Sequence, residues 1–174
     1  SMRTDARKRK FLEDAMHQAL ENHEFVMYLQ PKYSISTCKM VGAEALVRWQ
    51  HPEKGLIPPN DFIPIFEENG FVIPLDEFMW EEACKLLAEW QREGKEMLPI
   101  SVNVSRRHLI DDYFVEVLNH LIEKYQIPKH YLEIEITETE QSKMQERGIA
   151  LLKENGYTLP VSYTHLRAHE TSAH

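Results

Sequence analysis

The sequence predicts an α/β fold built around a parallel sheet, and three observations carry that prediction. Strand-like runs alternate along the chain with stretches whose apolar residues recur at three- and four-residue spacing. Glycine and proline punctuate the joints: Gly70, Gly94, Pro128 and Gly156 each stand where one pattern stops. The 174 residues are 43% hydrophobic and 10% aromatic, enough to close a core, and their number suits roughly one domain.

Residues 5–22 read as an amphipathic helix, because Phe11, Leu12, Ala15, Met16, Ala19 and Leu20 fall on one stripe. The helix begins in a basic cluster, so it is either a linker from an upstream domain or a helix packed on this one. Phe25 to Leu29 is the first strand, ending at Gln30-Pro31. Ser34 to Lys39 turns the chain, and Met40 to Trp49 is the second strand. His51-Pro52-Glu53-Lys54-Gly55 is turn chemistry. Pro58-Pro59-Asn60-Asp61 starts a short helix with Phe62, Ile63, Ile65 and Phe66 on its apolar side. Asp76 is the expected N-cap of a longer helix reaching Glu93, with Phe78, Met79, Ala83, Leu86, Leu87 and Trp90 inward. A third strand is expected over Leu98 to Val104 and a helix over Tyr113 to Tyr125. In the fourth strand, Tyr131 to Thr137, acidic and apolar residues alternate. A helix over Met144 to Asn155 and a fifth strand beginning at Tyr157-Thr158-Leu159 complete the pattern.

A formal net charge of −8 argues against a DNA or RNA binder that neutralises phosphates, but does not argue against a protein that holds a divalent cation. No apolar run approaches the roughly 20 residues of a membrane-spanning helix. The chain opens with Ser-Met, as a fragment or a tagged chain would, and its basic start lacks the apolar stretch of a secretory signal. Cys38 and Cys84 form no CxxC pair and read as free thiols of a reducing, cytoplasmic compartment. His51, His108 and His130 show no ligand spacing and read as surface or loop residues.

Chemistry in a parallel α/β barrel gathers at the C-terminal ends of the strands. Three such ends carry a metal-competent side chain: Glu44, Asn103 and Glu135. Strand alternation puts Glu44, Leu46 and Arg48 on one face, near Gln30 of the preceding strand. That set suits an anionic, metal-bound substrate, since arginine meets a phosphate with two parallel hydrogen bonds. An internal Glu44–Arg48 ion pair is the competing explanation. Asn103, between two valines, either ligates something or caps a turn, and Ser105 is itself available to cap the following helix. Glu133 and Glu135 share a face, and an acidic group inside a barrel is costly unless paired or metal-bound. Oxygen donors without a Cys or His cluster favour Mg²⁺ or Mn²⁺ over zinc.

Several separated motifs follow one another along the chain. They are Gln30-Pro31, then Gly42-Ala43-Glu44-Ala45-Leu46-Val47-Arg48-Trp49, then His51-Pro52. Pro58 through Phe62-Ile63-Pro64 to Glu67 and Gly70 follows, then Val102-Asn103-Val104-Ser105, then Glu135-Ile136-Thr137-Glu138. Together they resemble the EAL domain, the cyclic di-GMP phosphodiesterase family, and the resemblance implies a variant TIM barrel whose first strand runs antiparallel to the others. It implies Glu44, Asn103 and Glu135 as metal ligands, with Glu44 and Glu138 in catalytic roles, Glu138 ordering a loop near the second metal and the dimer surface. Gln30, Leu46 and Arg48 would contact the dinucleotide, and two Mg²⁺ or Mn²⁺ ions would drive water attack to give linear pGpG. Lys32 of Gln-Pro-Lys stands where an apolar residue is commoner.

The resemblance covers residues 24–159 and then departs. The family continues with an Asp-Asp-Phe-Gly segment, a catalytic lysine and another glutamate; here the chain turns into VSYTHLRAHETSAH. Val161 to Thr171 read as one frame of a transposase-type sequencing adapter, or else as a natural disordered terminus. The expected organisation is a linker helix over 1–23, the N-terminal part of an EAL domain over 24–159 with about five strands, and a non-native or disordered tail over 160–174. A complete barrel needs roughly 250 residues. The expectation is therefore an active phosphodiesterase in the parent protein and an inactive, weakly stable half-barrel in this chain. By family analogy a GGDEF or sensor domain lies upstream and EAL domains pair as a homodimer. A non-catalytic EAL module that binds cyclic di-GMP or regulates a partner protein is the alternative; the retained acidic positions favour the enzyme.

Overall fold

The computed structural model of the chain describes residues 2–136 and 142–160. Helix α1 (Met2–Glu21) leads into β1 (Phe25–Tyr33), β2 (Met40–His51) and β3 (Gly55–Ile57). Then come α2 (Pro59–Asn69), α3 (Val72–Glu93), β4 (Ile100–Val104), α4 (Tyr113–Tyr125), β5 (Leu132–Ile136) and α5 (Lys143–Glu154). Short 3₁₀ helices, Arg106–Ile110 and Lys129–Tyr131, precede α4 and β5.

The strands form one five-stranded sheet in the order β1-β2-β4-β5, with β3 attached to β2. β1 and β2 pair antiparallel, from Phe25↔Trp49 to Tyr33↔Met40, while β2, β4 and β5 run parallel. This is the start of a variant barrel with a reversed first strand. Period-two alternation explains which face each residue takes. Ala45, Ile100, Val102, Val104, Leu132 and Ile134 are buried in one core with Trp80, Ala83, Leu87 and Leu118 of α3 and α4. The opposite face of the same strands carries Glu44, Ser101, Asn103, Glu133 and Glu135.

A second core is aromatic. Phe25, Trp49, Phe62, Phe66 and Phe71 pack there with Leu12 and Ala19 of α1. Lys8 pairs with Asp61 at 2.9 Å, and Asn69 donates to Glu13 at 3.1 Å, so α1 lies along α2.

Three local expectations need correction, and a fourth, the turn after His51, holds but leads into a strand the sequence did not show. α3 begins at Val72, before Asp76, because the Asn69 side chain accepts the Phe71 N–H at 2.9 Å and both Phe71 and Val72 are buried. Asp76 therefore lies inside the helix rather than capping it. The turn after His51 opens into a hairpin: His51 Nδ1 accepts the N–H groups of Glu53 and Lys54, each at 3.1 Å, and β3 pairs back onto β2. At three residues, β3 is too short to show a period in the sequence. Ser105 precedes a 3₁₀ turn without a side-chain cap bond, since its hydroxyl is committed to Asp76. The residues at Tyr157-Thr158-Leu159 make a single parallel bridge, Glu133↔Thr158, reinforced by Ile134 N–H donating to Thr158 O at 2.9 Å. Glu138 and the adapter-like segment from Val161 lie outside the described residues.

Candidate active site

The sheet register aligns the polar side chains in two rungs. Gln30 pairs with Glu44, Glu44 with Ser101, and Ser101 with Glu133. One step further along the parallel strands, Asn103 pairs with Glu135. Directly paired residues share a face, so all six side chains belong to the side of the sheet away from α3 and α4. Glu44 and Glu135 are 7% and 4% exposed. Burial raises the Glu133 carboxyl above its ordinary range, opposed by the Lys32 charge and the Ser101 hydrogen bond.

Lys32 holds this face together. Its Nζ donates to Ser101 Oγ at 2.5 Å and to Glu135 Oε1 at 3.1 Å, and Ser101 Oγ donates onward to Glu133 Oε2 at 3.2 Å. On a flat sheet β1 and β5, three spacings apart, would lie roughly 14 Å from each other. Side chains stand nearly perpendicular to a sheet, so a bond between these two strands requires the sheet to curl toward this face. The curl is what a barrel needs.

Where β2 and β4 end, a cavity of about 190 Å³ is lined by Leu46, Arg48, Asn103, Glu67, Asp76 and Ser105, among others. The Arg48 Nη1 donates to Val47 O at 2.9 Å, and its guanidinium lies 5.5 Å from the centre of the Tyr28 ring. The charge pairing seen on this face thus runs through Lys32. Of the expected site residues, Leu46, Arg48 and Asn103 meet at the cavity, while Gln30, Glu44 and Glu135 stand on the rungs.

The sequence reading missed the support beneath Asn103. Asp76 Oδ2 accepts the Ser105 N–H at 3.1 Å, the Ser105 hydroxyl at 2.6 Å and His108 Nε2 at 3.0 Å. Trp80 Nε1 donates to the Asn103 carbonyl at 2.9 Å, and its ring packs at a tilt of 42° against His108 with centroids 4.7 Å apart. His108 is therefore buried, not a surface residue. The only sequence signal was an acid on the apolar stripe of a helix. Glu67, on the same cavity, has its carboxyl pushed up by burial first and by the Asp76 charge second.

Residues 13–164 match the family model of the EAL domain. The chain belongs to the EAL domain family. Over 127 residues it is 36% identical to the signaling protein YkoW of Bacillus subtilis, covering 73% of this chain and 16% of that one. It is 32% identical over 144 residues to the cyclic di-GMP phosphodiesterase PdeR of Escherichia coli, covering 83% of this chain and 22% of PdeR. Among solved structures, the PaMucR phosphodiesterase in complex with c-di-GMP superposes with a TM-score of 0.75 at 29% identity, over 82% of this chain and 58% of that one. The EAL enzyme Bd1971, in its cAMP- and cyclic-di-GMP-bound form, gives a TM-score of 0.77 at 29% identity, over 88% of this chain and 44% of that one. This EAL chain spans between about a sixth and a half of the length of its first curated relatives.

The EAL face offers oxygen donors to a metal. Among the described residues no three His, Cys, Asp or Glu side chains gather as a metal cluster. What the face does present is two buried carboxylates, Glu44 and Glu135, with the Asn103 amide on the intervening strand. It already stabilises one buried cation, the Lys32 ammonium. An oxygen-only set with few carboxylates fits Mg²⁺ or Mn²⁺, which commonly complete their shell with water and substrate phosphate. No helix among the described residues is long and apolar enough to cross a membrane.

Proposed function

We propose that this EAL domain acts on cyclic di-GMP, hydrolysing it to linear pGpG through two divalent cations in the protein it comes from. The observation that supports the reading is the register: in an EAL chain, Glu44, Asn103 and Glu135 share one face of a curled sheet, with Arg48 and Leu46 at the adjoining cavity. Glu44, Asn103 and Glu135 would hold the metal. A bound Mg²⁺ or Mn²⁺ supplies charge neutralisation at the phosphoryl oxygens and an acidified water. Arg48 and Gln30 would orient the dinucleotide, the guanidinium meeting a phosphate and Leu46 giving apolar contact. Burial of Glu44 and Glu135 keeps competing water away, so their charges act in a low-dielectric site. The setting we infer is cytoplasmic.

The described strands give one side of a barrel, so we further propose that this chain alone does not turn the substrate over. The test is a chromatographic assay for pGpG with Mn²⁺, run on the chain and on a chimera that continues after Pro160 with the matching part of PdeR. We expect no product from the chain, product from the chimera, and loss of at least a hundredfold in the chimera on Glu44→Gln, in line with removing a metal-held water's ligand (about 3 kcal/mol). A chimera that binds cyclic di-GMP with every expected ligand present and gives no pGpG would favour a receptor over an enzyme.

A further inference from the structure

Lys32 sits on the polar face of the sheet beside the carboxylate of Glu135, with that of Glu133 one hydrogen bond away. Its side chain is 11% exposed and that of Glu135 3%, so this is a buried ion pair between two strands that are not neighbours in the sheet. Gly42, the register partner of Lys32, puts no side chain in the way of the lysine stem. The ammonium reaches Ser101 at 2.5 Å and Glu135 at 3.1 Å, and through Ser101 it also steadies Glu133.

We propose that Lys32 is a built-in counter-ion that exchanges with the divalent metal. A buried carboxylate needs a partner, because an unpaired charge there is strongly disfavoured. Lys32 meets that need while the metal is away and keeps Glu135 oriented. A cation that takes the Glu135 oxygens brings two positive charges into the space next to the ammonium, and like charges at that separation repel. Metal entry therefore displaces Lys32 from Glu135, and Lys32 sets the metal affinity by competing for the same carboxylate. This inference rests on the proposed metal role of Glu135.

The test uses the full chain and Mn²⁺ as the probe, with free Mn²⁺ followed by electron paramagnetic resonance. Lys32→Met is expected to bind Mn²⁺ roughly tenfold tighter than the unmodified chain, the lower end of what a charge-assisted hydrogen bond is worth. It is also expected to melt at a lower temperature without metal and to gain more from it. Glu135→Gln should abolish the binding. Mn²⁺ binding that needs Glu135 but is equal or weaker in Lys32→Met overturns the exchange alone. No Mn²⁺ binding by either the unmodified chain or Lys32→Met overturns the metal site itself and the exchange with it. Should Lys32→Met not fold, acylation of the unmodified chain, read by mass spectrometry, decides: Mg²⁺ is expected to speed labelling of Lys32 severalfold, and an unchanged rate under metal-bound conditions refutes the exchange.

Discussion

Gly42 is a residue whose side chain has nowhere to go. A Cβ built there would meet the Pro99 carbonyl oxygen at 2.9 Å, and that same carbonyl accepts the Ala43 N–H at 3.0 Å. Moving the carbonyl to make room weakens the hydrogen bond that joins β2 to the start of β4, so Gly42→Ala should cost about 1–3 kcal/mol in urea unfolding. Asp76 is a larger loss. Its Oδ2 serves three donors at once, and Asp76→Ala leaves Ser105 and His108 with buried, unanswered groups. We expect about 3 kcal/mol of destabilisation. Burial pushes the Cys84 thiol up to about 12, while Cys38 is exposed. Ellman's reagent should therefore titrate one thiol quickly in the native chain and the second only after denaturation. The shared polar face was legible where chemistry was unusual for a strand, as at Glu44, Asn103 and Glu135. Asp76 and His108 were illegible because their meaning is mutual: an acid on a helix and an imidazole beyond a strand show nothing until the fold joins them.

At the scale of elements, α3 and α4 are fastened by Glu81, whose carboxylate accepts from Lys124 Nζ at 2.8 Å and Tyr125 Oη at 2.7 Å. Those hydrogen bonds, Lys124 first, hold the Glu81 carboxyl below its ordinary value of 4.5. The unfolded chain thus takes up this proton before the folded one does. The contribution is whole above pH 4.5 and fades as pH falls toward the lower folded value. Glu81→Gln should flatten that part of the acid limb of a stability–pH profile, by a small amount because the pair is partly exposed. Most elements were legible because their periods are clean and their stops are glycine or proline. Boundaries moved where side chains rather than glycines set them. The Asn69 side chain starts α3 early, and the β2–β3 hairpin is built on His51 Nδ1, a use of histidine that composition cannot reveal.

At the scale of the whole molecule, the sheet is curled but open among the described residues. The outer edge of β1 lacks a described strand beside it, and beyond β5 there is only the Thr158 bridge. Strand edges of this kind invite pairing with other chains. Light scattering should show association that rises with concentration; a monodisperse monomer at high concentration would contradict this. The barrel character was legible only through family motifs, since local patterns show strands and helices without the curl. What makes the curl visible is a contact between two residues far apart in sequence, Lys32 and Glu135.

The reversed first strand also bears on how the chain finds its fold. Pairing β2 with β4 joins Ala43 to Ile100 and must wait for α2 and α3 to be threaded between them. The β1–β2 pairing closes through residues 34–39 alone. A hairpin over so short a span forms in roughly 1–10 μs, whereas distant parallel pairings are slow. Pulse-labelled amide exchange during refolding should find the β1 amides that face β2 protected before those of Val102 and Ile134. An antiparallel opening thus gives a parallel barrel a nucleus it can form from neighbours.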